Sequence, residues 1–141
     1  MSSRLERFVT AQENTYESAL AELHAGQKQT HWMWFIFPQI QGLGHSETAR
    51  FYAIENLAVA KIYLFHPTLG HRLRECAQAL LQTEGLRALD ILGSPDDLKL
   101  KSSMTLFEKV AGEGDTIFTD ILDRFYDGER CLLTLQQLET E

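Results

Sequence analysis

The sequence predicts an all-α or nearly all-α fold, a compact helical bundle whose helices cross at non-parallel angles. Apolar residues recur at the i, i+3, i+4, i+7 spacing of a helix face in at least five segments. Glycines, prolines and residues that cap helices separate these segments. The 141 residues are 44% hydrophobic, which suits one core, and no repeat, low-complexity tract or linker divides them. We therefore expect residues 1–141 to form a single domain.

The first helix is predicted over residues 5–23, and an aromatic run follows it. Ser3 and Glu6 can form a capping box at the start of this helix, and Gly26 is a stop signal after it. The aromatic run, residues 31–39, is too short to show a period, so it is either a short helix or a buried extended segment. The predicted buried face of the first helix consists of Leu5, Phe8, Val9, Gln12, Tyr16, Ala19, Leu20 and Leu23.

Two further helices are predicted in the middle of the chain. Ser46 is a suitable N-cap for a helix that reaches Phe65, before the His66-Pro67 break. Pro67 can occupy the first position of the next helix, which stops around Gly85. The apolar face of this next helix consists of Leu69, Leu73, Cys76, Ala77, Leu80 and Leu81.

Three helices are predicted in the last third of the chain. The cap signal at residues 94–97, Ser-Pro-Asp-Asp, begins a helix that runs to about Val110. Asp115 caps the next helix, Gly128 ends it, and residues 132–138 form the last helix. The core is expected to include Phe8, Phe51, Leu73, Phe107 and Phe125.

Charge and composition exclude several classes of protein. The formal net charge is −7 and the pI is about 5.2, so we expect no extended nucleic-acid surface, although a small local basic site is compatible with these values. Cys76 and Cys131 have no CxxC partner and the five histidines lack metal-ligand spacing, so we predict neither a metal nor another cofactor. The start of the chain is charged, and no run of about 18 apolar residues follows, so we expect a cytoplasmic protein that does not enter the membrane.

The aromatic run contains the first candidate site residues. Within nine residues it holds both tryptophans and two of the eight phenylalanines, next to His31 and Gln39. Such a run is expected at the centre of the core, in the wall of a ligand pocket that includes Phe37, or in both. Trp32 and Trp34 can stack on a nucleobase, but two residues apart they point to opposite sides of an extended segment, so at most one is expected in a pocket. His31 can orient a ligand or transfer a proton, or it can simply bond a loop carbonyl beside the core.

A glycine loop is a candidate anion site. Gly42, Gly44 and Ser46 stand before a predicted helix start, where backbone N–H groups and the positive end of a helix dipole attract phosphate. The same residues are compatible with an ordinary glycine loop and a serine cap, and the Gly-Lys-Ser/Thr ending of a Walker loop is absent.

Four polar residues on two later helices complete the candidate binding groups. Arg72 and Lys99 can pair with a phosphate or a carboxylate, and Ser102 and Ser103 offer hydroxyls on the same helix as Lys99. Surface salt bridges explain such cations equally well.

Motifs of one known family occur in order along nearly the whole chain. They are Ala11-Gln12, Tyr16, Ala19-Leu20, the run from His31 to Gln39, Gly42-Leu43-Gly44, Ser46, Tyr52-Ala53-Ile54, His66-Pro67, Leu69-Gly70, Arg72-Leu73, Lys99-Leu100 and the run from Ser102 to Phe107. In these residues the chain is similar to the DUF1810 family, a family of small bacterial proteins of unknown function. Two positions depart from the family pattern: Val59 replaces a usual carboxylate, and Cys131 replaces a usual aspartate. If either acid takes part in catalysis in relatives, this chain is weakened or inactive.

A more distant resemblance rests on Phe35 to Pro38, Tyr52 with Glu55 and Lys61, Pro67 with Gly70 and Arg72, and Lys99 with Met104. In these residues the chain is similar to the NADAR/YbiA-like group, small α-helical proteins that cleave N-glycosidic bonds in ADP-ribose-type or ribosylated-base compounds. This resemblance implies that Glu55 supplies the carboxylate near the anomeric carbon and that Tyr52 lies in the binding site. A solvated glutamate on a helix face is the ordinary alternative for Glu55. His31, which can transfer a proton, is the second catalytic candidate.

These observations predict one ligand pocket, built from the aromatic run, the glycine loop and the helix that contains Lys99. The predicted function is hydrolysis of a small ribosylated compound by a metal-independent N-glycosidase, with ADP-ribose or a ribosyl phosphate as the ligand. The alternative is a non-catalytic nucleotide- or peptide-binding adaptor, which the missing acids at Val59 and Cys131 favour. The residues expected to converge on one cleft are His31, Gln39, Ser46, Lys99 and Ser103.

Overall fold

The computed structural model describes residues 5–139, so the capping residue predicted at Ser3 lies outside the described residues. The fold is all-α, as the sequence predicts: the described residues form ten helices and no strand beyond one isolated bridge. The longest helix has 15 residues, and no described helix is both long and apolar enough to cross a membrane. The helices are α1 (Glu6–Glu13), α2 (Tyr16–His24), α3 (Met33–Ile36), α4 (Glu47–Phe51), α5 (Leu57–Phe65), α6 (Leu69–Gln82), α7 (Ala88–Leu92), α8 (Asp96–Val110), α9 (Ile117–Tyr126) and α10 (Leu132–Glu139).

Four helices form the centre of the molecule. Helix α5 packs on α6, α6 on α9, α9 on α8 and α8 on α5, so the four helices close a ring around the core. Three aromatic side chains meet inside these four helices. The centroid of the Phe107 aromatic ring lies 5.4 Å from that of Tyr63 and 5.9 Å from that of Phe118. Helix α2 lies on α6, α7 and α10 lie on α8, and the aromatic helix α3 packs on α1 and α6.

The helix predicted over residues 5–23 is divided into α1 and α2. The N–H of Thr15 donates to the carbonyl of Gln12 three residues earlier, which closes a tight turn in place of the usual α-helical bond. Buried residues continue at helical spacing on both sides of this turn. The apolar period therefore could not reveal the break.

The helix predicted from Ser46 to Phe65 is also divided, into α4 and α5. Between them Ile54 donates its N–H to the carbonyl of Gln39 and accepts from the N–H of Gln41, both at 2.8 Å. Asn56 then begins α5 as a side-chain N-cap. This pairing places the segment between α4 and α5 directly beside the glycine loop.

Side-chain caps decide where two other helices begin. The Nδ1 atom of His66 accepts from the N–H groups of Thr68 and Leu69, so α6 begins two residues later than predicted. The carboxylate of Asp90 accepts from the N–H of Arg87 at the start of α7, a helix that the sequence reading did not predict.

The core prediction is correct at three positions, incomplete at a fourth and wrong at a fifth. Phe8, Leu73 and Phe107 are buried, and Phe125 is half-buried. Phe51 is 50% exposed, because α4 ends at this residue and the next residue, Tyr52, takes the inward position. The Tyr52 ring contacts Phe8, with the ring centroids 5.7 Å apart.

Candidate ligand-binding groove

The aromatic run forms the short helix α3 and divides its two tryptophans between core and surface. Trp32 is fully buried, and its indole Nε1 donates to the carboxylate of Glu22 at 2.9 Å. Trp34 is half-buried and lines a surface depression. One tryptophan therefore belongs to the core and the other to a possible site, which is the division that the sequence reading expected.

The carboxylate of Glu22 fixes the segment that leads into α3. Besides Trp32, it accepts from the backbone N–H groups of Gln29 and Thr30 and from the Thr30 hydroxyl. Burial would raise the pKa of Glu22, but these hydrogen bonds outweigh burial and lower the pKa to about 2. An ionised Glu22 thus holds the aromatic helix at the end of α2.

A first depression, which we call the notch, lies between α3, the glycine loop and the start of α8. Its volume is about 10 Å³, which is room for about one water molecule. The Nζ atom of Lys99 lies 5.3 Å from the centroid of the Trp34 ring and 3.7 Å from Oδ1 of Asp96. Because Lys99 covers the ring of Trp34, no base can stack on that face in this structure. The notch is lined by Met33, Trp34, Phe37, Gln39, Ile40, Gly44, Ala49, Tyr52, Ala53 and Lys99.

A second depression, the arginine chamber, adjoins the notch at Gly44 and Ala53, which line both. Its volume is about 430 Å³, which falls in the size range of small-molecule pockets, about 300–1,000 Å³. The glycine loop forms one wall, and Arg50 on α4 brings a guanidinium group. The chamber is lined by Gln41, Gly42, Gly44, His45, Arg50, Ala53 and Gln137.

A third depression, the leucine chamber, shares Gly42, His45 and Gln137 with the arginine chamber. Its volume is about 410 Å³, and α10 forms one of its sides. We call the two chambers together the loop groove. The leucine chamber is lined by Gly42, Leu43, His45, Leu133, Gln136 and Gln137.

Gly42 allows the glycine loop and α10 to come into contact. Its φ is +98°, a value that L side chains rarely adopt. A Cβ atom at this position would also lie 1.7 Å from Nε2 of Gln137. The backbone conformation therefore favours glycine, and the amide at the end of the flexible Gln137 side chain occupies the space that a side chain at position 42 would enter.

The notch and the loop groove differ in charge from the rest of the chain. Among residues 5–139, no carboxylate lines the notch or either chamber, whereas Lys99 and Arg50 do. The whole chain has a formal net charge of −7. An acidic protein thus presents a local surface whose charged groups are cationic.

The family described as "Protein of unknown function (DUF1810)" matches residues 2–138 of the chain. The chain belongs to the DUF1810 family. It is also similar to a solved structure, the conserved hypothetical protein Rv1873 from Mycobacterium tuberculosis, with 45% sequence identity, 96% of each chain covered and a TM-score of 0.93. Among curated proteins, none matches it.

Six of the residues predicted for the site line the notch of this DUF1810 protein, and two line the loop groove, with Gly44 common to both. Of the five residues expected to converge, Gln39 and Lys99 share the notch, and the other three do not line it. The notch residues among the predicted ones are Trp34, Phe37, Gln39, Gly44, Tyr52 and Lys99, and the groove residues are Gly42 and Gly44.

Ser46 acts as a helix cap in the DUF1810 protein. Its Oγ accepts from the N–H of Ala49 at 3.1 Å. The helix that it caps, α4, has only five residues and ends at Phe51, whereas the sequence reading extended it to Phe65. Because the helix dipole is a sum over aligned peptide groups, this short helix attracts an anion less than the predicted one would.

Four other predicted residues lie outside the notch and the loop groove. His31 and Glu55 are exposed, and neither lines these depressions. Trp32 is in the core, as described above. Arg72 is half-buried on α6, where its Nη1 lies 3.3 Å from Oε1 of Gln12 and its guanidinium lies over the Tyr16 ring, 4.7 Å from the centroid. Arg72 therefore supports the packing of α6 against α1 and α2.

The two serines of α8 are buried beneath the surface. Ser102 Oγ donates to the carbonyl of Leu98 and lies 3.2 Å from Sγ of Cys131. Ser103 is fully buried, and its Oγ has no hydrogen-bond partner among the described residues. Neither hydroxyl lines the notch, because α8 turns them toward neighbouring helices.

The two positions that depart from the family pattern also lie outside the groove. Val59 is buried on α5. Cys131 is half-buried just before α10; burial would raise the pKa of its thiol, but hydrogen bonds from Ser102 and Thr134 lower it.

The loop groove also contains residues that sequence reasoning missed. His45 and Arg50 stand within eight residues of Gly42, so their closeness to the glycine loop was a usable signal. Leu133, Gln136 and Gln137 had no such signal, because only the folding of α10 onto the loop brings them to the groove.

Proposed function

We propose that this DUF1810 protein binds a small phosphate-bearing ligand of the ribosyl phosphate or ADP-ribose class in the loop groove. The observation that carries the proposal is the charge of the lining: Arg50 lines the groove and no carboxylate does, in a chain of net charge −7. A phosphate group is attracted to such a surface and repelled by most of the remaining surface.

The arginine chamber has the groups that a phosphate needs. The planar guanidinium of Arg50 can form two parallel hydrogen bonds to phosphate oxygens. The glycines at positions 42 and 44 expose the loop backbone, so that its N–H groups can approach an anion closely. Lys99 lies across Gly44, at the notch, where it is paired with Asp96.

The groove supports binding better than it supports cleavage. Hydrolysis of an N-glycosidic bond requires a carboxylate beside the anomeric carbon. The candidate, Glu55, is exposed and outside the groove, and the family positions at Val59 and Cys131 carry no acid. The N-glycosidase activity therefore stays a prediction.

The cytoplasmic location also stays a prediction. The two free thiols and this class of ligand both favour it.

The proposal is tested by thermal unfolding and calorimetry with ribose 5-phosphate and ADP-ribose. A ligand that binds the native state raises the unfolding temperature, so both compounds should protect the protein. Replacing Arg50 by Gln removes charge-assisted hydrogen bonds and should weaken binding at least about tenfold. Lys109→Gln removes one positive charge from an exposed site on α8 away from the groove, and it should leave affinity within about twofold.

Equal losses in the Arg50 and Lys109 variants, or no protection by either compound, would refute the proposal. Product analysis after incubation with ADP-ribose addresses cleavage separately. If free adenine appears and its rate of release falls in Glu55→Gln, the protein is a hydrolase and Glu55 reaches the substrate through a rearrangement of the segment after α4.

A further inference from the structure

The leucine chamber is built differently from the arginine chamber. Leu43 and Leu133 give it apolar side chains, and two amides, Gln136 and Gln137, stand on the same helix. Its volume of about 410 Å³ is large enough for a flat heterocycle. Within the part of the chain that the structure describes, no charged side chain of Lys, Arg, Asp or Glu lines this chamber. A neutral ring with polar edges suits this lining better than a second phosphate does.

The amides indicate which ring fits. A glutamine side chain has both donors and an acceptor, and it pairs with the N6 and N7 edge of adenine through two hydrogen bonds. Guanine presents two acceptors at the corresponding edge, O6 and N7, which arginine or lysine recognises. Since the leucine chamber offers amides, its chemistry favours adenine over guanine.

The two chambers are neighbours on the surface, which suits one ligand that spans both. Gly42, His45 and Gln137 line both, so a molecule that extends past these three residues occupies the two chambers at once. A nucleotide has this arrangement, with a neutral base at one end, a phosphate at the other and a sugar between them.

We infer that the leucine chamber holds the adenine ring of an adenine nucleotide whose phosphate lies beside Arg50, with Gln136 and Gln137 as the residues that select the base. This inference rests on the proposed function, which requires only the phosphate end. It moves base recognition from the aromatic run, where Trp32 is buried and Lys99 covers Trp34, to the face of α10.

The experiment compares AMP, GMP and ribose 5-phosphate on the full chain by calorimetry. AMP should bind more tightly than GMP and than ribose 5-phosphate, in each case by at least about fivefold, because a bidentate pair discriminates against the wrong base. This comparison uses the unmodified protein, so it does not depend on whether any variant folds.

Variants then assign the effect to the two chambers. Gln136→Leu keeps the size of the side chain and removes the amide, and it should reduce the affinity for AMP at least about fivefold while leaving that for ribose 5-phosphate unchanged. Gln137→Leu should do the same, whereas Arg50→Gln should weaken all three ligands. Gln78→Leu, on the exposed face of α6, is the matched control and should change none of them.

The outcomes separate the inference from the proposed function. If ribose 5-phosphate binds, Arg50→Gln weakens it and AMP is no tighter than GMP, the adenine assignment is wrong and the phosphate site stands. If AMP is preferred but both glutamine variants retain the preference, the leucine chamber is not the base site. If none of the three ligands binds, both proposals fail.

Discussion

Two glycines of this protein show how the surroundings of one backbone position decide the effect of adding a methyl group. A Cβ atom at Gly70 would lie 1.8 Å from the carbonyl oxygen of Leu64, a backbone atom that cannot move without shifting α5. Gly85 has a φ of +72°, but no heavy atom lies within 4 Å of its Cβ position. The first site is limited by packing and the second by backbone conformation alone.

We therefore predict different effects for the same substitution at these two sites. Gly85→Ala should reduce the free energy of unfolding by about 1–2 kcal/mol, the usual penalty for a left-handed L residue. Gly70→Ala should reduce it by about 3 kcal/mol or more, because the overlap with Leu64 must be relieved by moving one central helix against another. Urea unfolding of both variants measures the difference, and equal losses would contradict it.

Burial decides which of two aromatic residues in the run contributes more to stability. Phe37 is fully buried, whereas Trp34 is half-buried with one ring face against Lys99. We predict that Phe37→Ala lowers the free energy of unfolding by about 3–5 kcal/mol and that Trp34→Ala, although the larger truncation, lowers it less. A larger loss at Trp34 in equilibrium unfolding would show that the notch is part of the core.

At the scale of elements, Glu22 connects the end of α2 to the segment before α3. Its pKa is lowered to about 2 from the usual 4.5 by hydrogen bonds that only the ionised form fully accepts. A carboxyl whose pKa is lower in the folded state stabilises the fold above its unfolded pKa and loses this contribution as the pH falls through the folded value. The contribution is therefore complete at neutral pH and is lost between about pH 4.5 and 2.

Glu22→Gln tests this connection. We predict a loss of about 1 kcal/mol in the free energy of unfolding at pH 7, since the hydrogen bonds to a charged acceptor become weaker. The difference in the free energy of unfolding between the variant and the unmodified protein should become smaller as the pH falls below 4.5. Glu17→Gln, at an exposed position on the same helix, should show no such difference. If the difference in the free energy of unfolding stayed unchanged down to pH 2, the charge of Glu22 would not be the cause of the loss of stability.

The limits of the helices show what apolar spacing can and cannot predict. The spacing places α6, α8, α9 and α10 correctly within a few residues, because each has one buried face and a clear end. It misses the turn at Thr15 and the extended segment at Ile54, since buried residues continue across both. The cap at Asn56 was a readable signal for the second break, whereas the hydrogen bonds of Ile54 to the glycine loop are tertiary and leave no local trace.

At the scale of the whole molecule, the notch has local signals in the sequence, whereas much of the loop groove is made by tertiary contacts. Half of the notch residues come from the aromatic run and the glycine loop, which are neighbours in the sequence, and Lys99 was suggested by its charge. The leucine chamber depends on α10, which lies far along the chain from the loop that it contacts. Only the packing of α10 on α8 positions Gln137 against Gly42, so the chamber had to be found from coordinates.

The ring formed by α5, α6, α8 and α9 predicts that the chain unfolds as one unit. Both tryptophans lie in the aromatic run, so tryptophan fluorescence reports on the notch, whereas far-UV circular dichroism reports on all helices. If residues 1–141 form a single cooperative domain, the two signals should give coincident urea transitions. A domain boundary between the aromatic run and the central ring would separate them.

Phe107→Leu makes this test stricter, because Phe107 lies at the centre of the ring, far along the chain from both tryptophans. We predict a loss of about 1–3 kcal/mol from reduced contact with Tyr63 and Phe118, and the same shift in both transitions. Leu132→Ala, at a position 71% exposed, should shift neither transition by more than about 0.5 kcal/mol. If Phe107→Leu moved the circular dichroism transition but not the fluorescence transition, the notch would be stable without the central helices, and its ligand-binding residues would belong to a separate folding unit.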